Sequence, residues 1–133
     1  MSCLKNKSEI SRMAADCLQK NYCYPAVAHC AYYSCFQLMK HIFLFSFGKT
    51  EAEFKIYQNQ RDEGTHEAMI NYFMTYLKNN NKDWRTFNTN ITQLRKLRTI
   101  SDYDNVEIDC LKSNNSVALC DVVLRFLKAN IKI

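Results

Sequence analysis

The stretch Tyr24-Pro25-Ala26-Val27-Ala28-His29-Cys30-Ala31-Tyr32-Tyr33-Ser34-Cys35-Phe36-Gln37-Leu38-Met39-Lys40-His41-Ile42-Phe43-Leu44-Phe45 decides the fold class. Val27, Ala31, Ser34, Leu38, Ile42 and Phe45 recur at steps of three and four, the spacing that places side chains on one face of an α-helix. Pro25 stands in the first turn, where its missing N–H costs nothing. The spacing predicts one long helix of about six turns at ~3.6 residues per turn.

Four more helical segments surround it. Ser8 is read as the cap of a first helix to about Lys20, with Ile10, Met13, Ala14, Cys17 and Leu18 as its apolar stripe. Thr65 is read as the cap of a third helix to about Lys78, with Met69, Ile70, Phe73, Tyr76 and Leu77 inward. A fourth runs from Phe87 or Thr89 to Arg98 and ends near Ser101, with Ile91, Leu94 and Leu97 inward. A fifth carries Val117, Cys120, Leu124 and Leu127. The polar link that holds Gly48 and Gly64 is long enough to carry a short helix of its own or to be mobile.

Composition closes off the alternatives. The chain has two glycines and one proline in 133 residues, so the tight turns of an all-β protein would lack their usual residues. Its length suits a single domain over residues 1–133, and 47% hydrophobic content is enough for one core. The expectation is an all-α, antiparallel bundle of four main helices plus a short accessory helix.

A formal charge of +5 favours encounters with anions but is below that of a dedicated nucleic-acid binder. The seven cysteines are odd in number, form no Cys-x-x-Cys, and are read as mostly apolar positions of helices, which points to a reduced, cytoplasmic setting. Lys5, Lys7, Glu9 and Arg12 interrupt any apolar signal core, and His29, Gln37, Lys40 and His41 break up the most apolar stretch. Neither secretion nor a membrane span is expected. His29, Cys30 and His41 lack paired ligands at metal spacing, so no metal or other cofactor is expected.

Three segments in order carry a resemblance. Ala26-Val27 followed by Ala31-Tyr32-Tyr33 and Phe36 is similar to a helix of the HEPN family. Thr65-His66-Glu67-Ala68-Met69-Ile70-Asn71-Tyr72-Phe73 is similar to the helix that follows in the family's small stand-alone prokaryotic branch. Leu94-Arg95-Lys96-Leu97-Arg98-Thr99-Ile100-Ser101-Asp102-Tyr103-Asp104 resembles that branch's Leu-x-x-x-Arg-x-x-x-Asp-Tyr-Asp. The resemblance spans roughly residues 24 to 104. It implies a helical bundle, commonly a homodimer, among RNases, toxins of toxin–antitoxin pairs, defence proteins and partners of small nucleotidyltransferases.

Catalytic members of the family carry Arg followed after four to six residues by His, and cleave RNA without metal through attack of the ribose 2′-hydroxyl on the adjoining phosphate. Histidine suits the proton transfer and arginine the developing charge. Counting from Arg98, the histidine positions hold Tyr103, Asp104 and Asn105; counting from Arg95, they hold Ile100, Ser101 and Asp102. The pair is half present.

The expected ligand-binding residues are therefore Arg98, Asp102, Tyr103, His66 and Arg95, and any catalysis would fall to Arg98, Asp102 and Tyr103. Against this stand ordinary roles: Arg98 paired with Asp102 at a helix end, Tyr103 packed on the bundle, His66 facing solvent or capping its helix, Arg95 as plain surface charge. Lys82, Trp84, Arg85, Arg95, Lys96 and Arg98 also make a basic strip with one aromatic, the kind of surface single-stranded RNA uses, though such a charge run is more often a solvated face. The expected function is binding of RNA, a nucleotide or a protein partner without family-type RNase catalysis. The alternatives are a divergent metal-independent endoribonuclease and a non-catalytic interaction module.

Overall fold

The computed structural model describes residues 2–133, and among them there are six α-helices and no strand: α1 (Cys3–Lys20), α2 (Tyr24–His41), α3 (Glu51–Arg61), α4 (Thr65–Asn79), α5 (Trp84–Tyr103) and α6 (Cys110–Asn130). No helix among the described residues is long and apolar enough to cross a membrane.

Side-chain pairings fix the directions. Ser2 meets His41 and Ser8 meets Ser34, so α1 and α2 run antiparallel. His29 meets Asp102 and Tyr33 meets Arg98, so α2 and α5 do too. Arg12 meets Asp121 and Gln19 meets Cys110, which sets α1 antiparallel to α6. The bundle is thus α1 and α5 one way, α2 and α6 the other. The hairpin of α3 and α4 is inserted between α2 and α5. Its α4 adds Met69, Phe73 and Leu77 to the same core as Phe87, Ile91 and Leu94 of α5.

Helix α1 corrects the sequence reading in both register and start. Its cap is Ser2, whose side chain accepts the N–H of Leu4 at 3.2 Å, and Ser8 lies buried inside the helix. The face turned to the bundle is Leu4, Ser8, Ser11, Ala15 and Leu18, a step of four and three built mainly from small residues. Ser8 donates to the Ser34 carbonyl at 2.6 Å and Ser34 donates to the Ser8 carbonyl at 2.7 Å. Each hydroxyl satisfies the other helix's backbone, and the two backbones approach closely because nothing larger intervenes. Of the predicted stripe, Leu18 packs on the core and Ala14 is half-buried, but Ile10, Met13 and Cys17 fall on the outer flank, Ile10 55% and Met13 69% exposed. Counting apolar residues misplaced this face because close packing selects small ones.

Helix α2 is as predicted through Ile42. It then continues as a π-helical turn over Ile42–Ser46, in which Phe47 N–H reaches the Ile42 carbonyl at 2.8 Å. The extra residue in that turn rotates Phe45 off the buried face, and it is exposed. Gly48 follows with φ of 64°, a left-handed conformation that suits glycine. The long link then carries α3, capped by Thr50. The third predicted helix is α4, with Gly64 at the cap and Thr65 its first residue.

Helix α5 is longer than expected at both ends. Asp83 accepts the N–H of Thr86 at 3.3 Å and starts it, and Asp102 and Tyr103 lie within its last turn. Helix α6 buries Cys120, Leu124 and Leu127 as predicted. The cysteines are mostly not core residues: Cys3, Cys17, Cys23 and Cys110 are exposed, Cys30 is half-buried, and only Cys35 and Cys120 are buried.

This register gives a direct test. Ala15→Leu, which drives a larger side chain into the α1–α2 contact, is expected to cost about 1–3 kcal/mol in denaturant unfolding. Ile10→Ser on the outer flank is expected to stay within about 0.5 kcal/mol. The reverse order would show that α1 packs through the other face.

Candidate functional site

Arg98 lies in the fourth of α5's five turns, 15% exposed in its side chain. Its Nε stands 3.0 Å from Asp102 Oδ2, one turn on, and its Nη2 donates to the Tyr33 hydroxyl at 3.2 Å. The Nε–H is not aimed at the carboxylate and has no hydrogen-bond acceptor, so the contact with Asp102 is an ion pair rather than a hydrogen bond. The guanidinium also lies against two aromatic rings, 5.3 Å from the centroid of Tyr33 and 5.4 Å from that of Tyr103.

Asp102 has a second partner that sequence reasoning did not join to it. His29, one turn before Tyr33 on α2, places Nδ1 2.8 Å from the same Oδ2. An ionised carboxylate only accepts, so Nδ1 carries the proton. In the neutral ring this leaves the Nε2 lone pair free, on a side chain that is 49% exposed. One carboxylate oxygen therefore holds a cation from its own helix and an imidazole from the next. The available signal was the pair of i, i+4 spacings, His29 with Tyr33 and Arg98 with Asp102, on two helices that turn out to be antiparallel.

His66 enters from the first turn of α4. Its Nδ1 shares a hydrogen bond of 2.8 Å with the buried Tyr32 hydroxyl, and its ring lies 4.5 Å from Phe36 and 5.8 Å from Tyr33, centroid to centroid. It is neither solvent-facing nor a cap. Burial pushes its pKa below the ordinary histidine value, and the charges of Arg95 and Arg98 push the same way. Burial likewise pushes the Tyr32 hydroxyl up, so it stays protonated. It pushes the Cys30 thiol up as well, with Asp102 adding to it, which makes that thiol a poor nucleophile.

Of the predicted residues, Arg98, Asp102, Tyr103 and His66 are brought together, with Tyr33 at the centre of the group. Tyr103 is not packed down on the bundle: it is 71% exposed and covers Arg98 from the solvent side. Arg95 stands apart, lining a polar recess of about 150 Å³ between α4 and α5 with Asn71, Asn88 and Thr92. It reaches the others through its field at His66. Trp84 carries Lys78 Nζ at 4.2 Å and the Arg85 guanidinium at 5.2 Å from its ring centroid, at the opposite end of α5.

Compared against protein families, curated proteins and solved structures, the chain finds no match.

The depressed pKa of His66 has a definite sign in stability. Below about pH 6.5 the unfolded chain binds a proton that the folded chain refuses, so stability falls as pH drops from that value toward the lower folded pKa. His41, lowered by burial and then by Lys5, acts in the same direction. Histidine ring NMR should show His66 titrating below its ordinary value. In Arg98→Gln the midpoint should rise but stay depressed, because burial is the larger cause. An unshifted His66 would mean its ring is solvated.

Proposed function

We propose that the chain is a HEPN-like protein that binds single-stranded RNA along α5, with a phosphate received at the end where Arg98, Asp102 and His29 meet. One observation carries this reading. From Trp84 to Ser101, α5 has Arg85, Arg95, Lys96 and Arg98 and no carboxylate, and its other exposed residues are Thr89, Thr92, Gln93 and Thr99. Arg85 and Lys96 face solvent while Arg95 lies toward α4 and Arg98 toward α2, so charge for phosphates and hydrogen bonds for sugar hydroxyls are spread around the helix.

Three further features agree with it. The three segments that carry the resemblance lie in α2, α4 and α5, the helices whose side chains form the cluster. Tyr103 presents an exposed ring beside Arg98 on which a base can stack. Ile10, Met13 and Cys17 offer the exposed apolar flank on α1 that a homodimer would need.

A second reading, a divergent metal-independent endoribonuclease, is favoured by His29. The imidazole absent from α5 arrives from α2, oriented by Asp102 with Nε2 free. In this reading Nε2 takes the proton of the 2′-hydroxyl as that oxygen attacks phosphorus, and Arg98 stabilises the charge on the phosphorane. The bond to the 5′-oxygen breaks, and that oxygen takes a proton from water, with the proton on His29 then returned to solvent.

The test uses a mixed RNA pool and purified wild type, Arg98→Ala, His29→Ala and Lys112→Ala, the last as a surface control. RNA binding should weaken tenfold or more in Arg98→Ala and be unchanged in Lys112→Ala. Cleavage present in wild type and lost in His29→Ala, with binding kept, would select the enzyme. No binding by the wild type would sink both readings.

A further inference from the structure

An apolar chamber of about 80 Å³ lies between α2, α3 and α4, and one of its walls, Phe36, also lies against the His66 ring. Its walls are Phe36, Phe43, Leu44, Phe54 and Met69, and the polar groups at it are Lys40, Glu51 and Thr65. Two of its walls, Phe43 and Leu44, belong to the π-helical turn of Ile42–Ser46. A π turn is rare and tends to be found at functional sites. Here it supplies two of the chamber's apolar walls.

The polar groups define what the chamber accepts. Lys40 Nζ lies 3.0 Å from Glu51 Oε1, and this is the charge pair of the lining. The Glu51 side chain is 73% exposed, so the pair is a surface ion pair of small net value and is readily exchanged. Thr65 is the first residue of α4, whose cap Gly64 makes no side-chain cap bond. A single ammonium balances the one charge of a carboxylate and would leave much of a phosphate's roughly −2 charge unpaired.

We propose that this chamber binds a small monocarboxylate with an apolar tail, its carboxylate on Lys40 in place of Glu51 and its tail against Phe43, Phe54 and Met69. Released Glu51 stays in the first turn of α3, where a carboxylate is favoured by the helix dipole. Neutral amphiphiles leave the Lys40 pair untouched and gain only the tail. Cationic ones meet Lys40. The site shares Phe36 with the His66 cluster, so its occupancy is readable at the His66 ring, and it does not depend on RNA binding.

The experiment titrates the full chain with sodium acetate, butyrate and hexanoate, and with 1-hexanol, following the Met69 and Leu44 methyl groups and the His66 ring by NMR. Saturable shifts confined to these residues are expected, with affinity rising about fourfold per added methylene until the chamber is full. Hexanol should bind severalfold more weakly than hexanoate. Lys40→Met should abolish that preference, and Glu51→Gln should tighten hexanoate by removing its competitor. Both substitutions are at the rim, and their folding is checked by thermal melting. Hexanoate that gives no saturable shift, binds no better than hexanol, or is insensitive to both variants would overturn the proposal.

Discussion

Helix α2 is buried on nearly every side, and the rest of the structure answers to that constraint. It packs against α1, α4, α5 and α6, and Val27, Ala31, Tyr32, Ser34, Cys35, Leu38 and Met39 are almost wholly removed from water. A polar group in such a place must find a partner or cost stability. Each neighbour supplies one: α1 the backbone and hydroxyl of Ser8 for Ser34, α4 the imidazole of His66 for Tyr32, α5 the guanidinium of Arg98 for Tyr33, and α6 the Cys120 carbonyl for the Cys35 thiol. The order of helices around α2 is written in these pairings as much as in the apolar core.

The candidate site grows out of the same constraint. Tyr33 is only partly buried, and its hydroxyl draws Arg98 inward. Arg98 in turn needs a counter-charge, which Asp102 provides one turn later. The same Asp102 oxygen then receives His29 from the exposed start of α2. What begins as satisfaction of a half-buried tyrosine ends as a carboxylate shared by an arginine and an outward-facing imidazole. The chemistry available at the surface is thus tied to the packing beneath it. A ligand phosphate that draws on Arg98 competes with Asp102, and so bears on the hydrogen bond that orients His29.

Much of this was legible in the sequence and some was hidden for physical reasons. The helical class follows from the spacing of Val27 through Ile42 and from the scarcity of glycine and proline. The pairing of Arg98 with Asp102 follows from an i, i+4 spacing. The face of α1 was not legible, because Ser8, Ser11 and Ala15 are selected for size rather than hydrophobicity, and a count of apolar residues sees Ile10 and Met13 instead. Phe45 was misplaced because a π turn leaves no mark in periodicity until it has occurred. His29 stayed unconnected because its partner lies 73 residues away, and only the antiparallel register of α2 and α5 joins them. For Tyr103 the ordinary alternative to ligand binding was a ring packed on the bundle, and the ring is instead exposed beside the Arg98 guanidinium.

Arg98 and His29, joined through Asp102, are proposed to form one anion-receiving site. The most direct measurement follows the Arg98 Nε–H and His29 ring signals by NMR while a short single-stranded oligoribonucleotide is added. Both are expected to move together, with a single dissociation constant, and Asp102→Asn is expected to uncouple them. Shifts confined to Lys78, Trp84 and Arg85, with Arg98 and His29 unmoved, would contradict it.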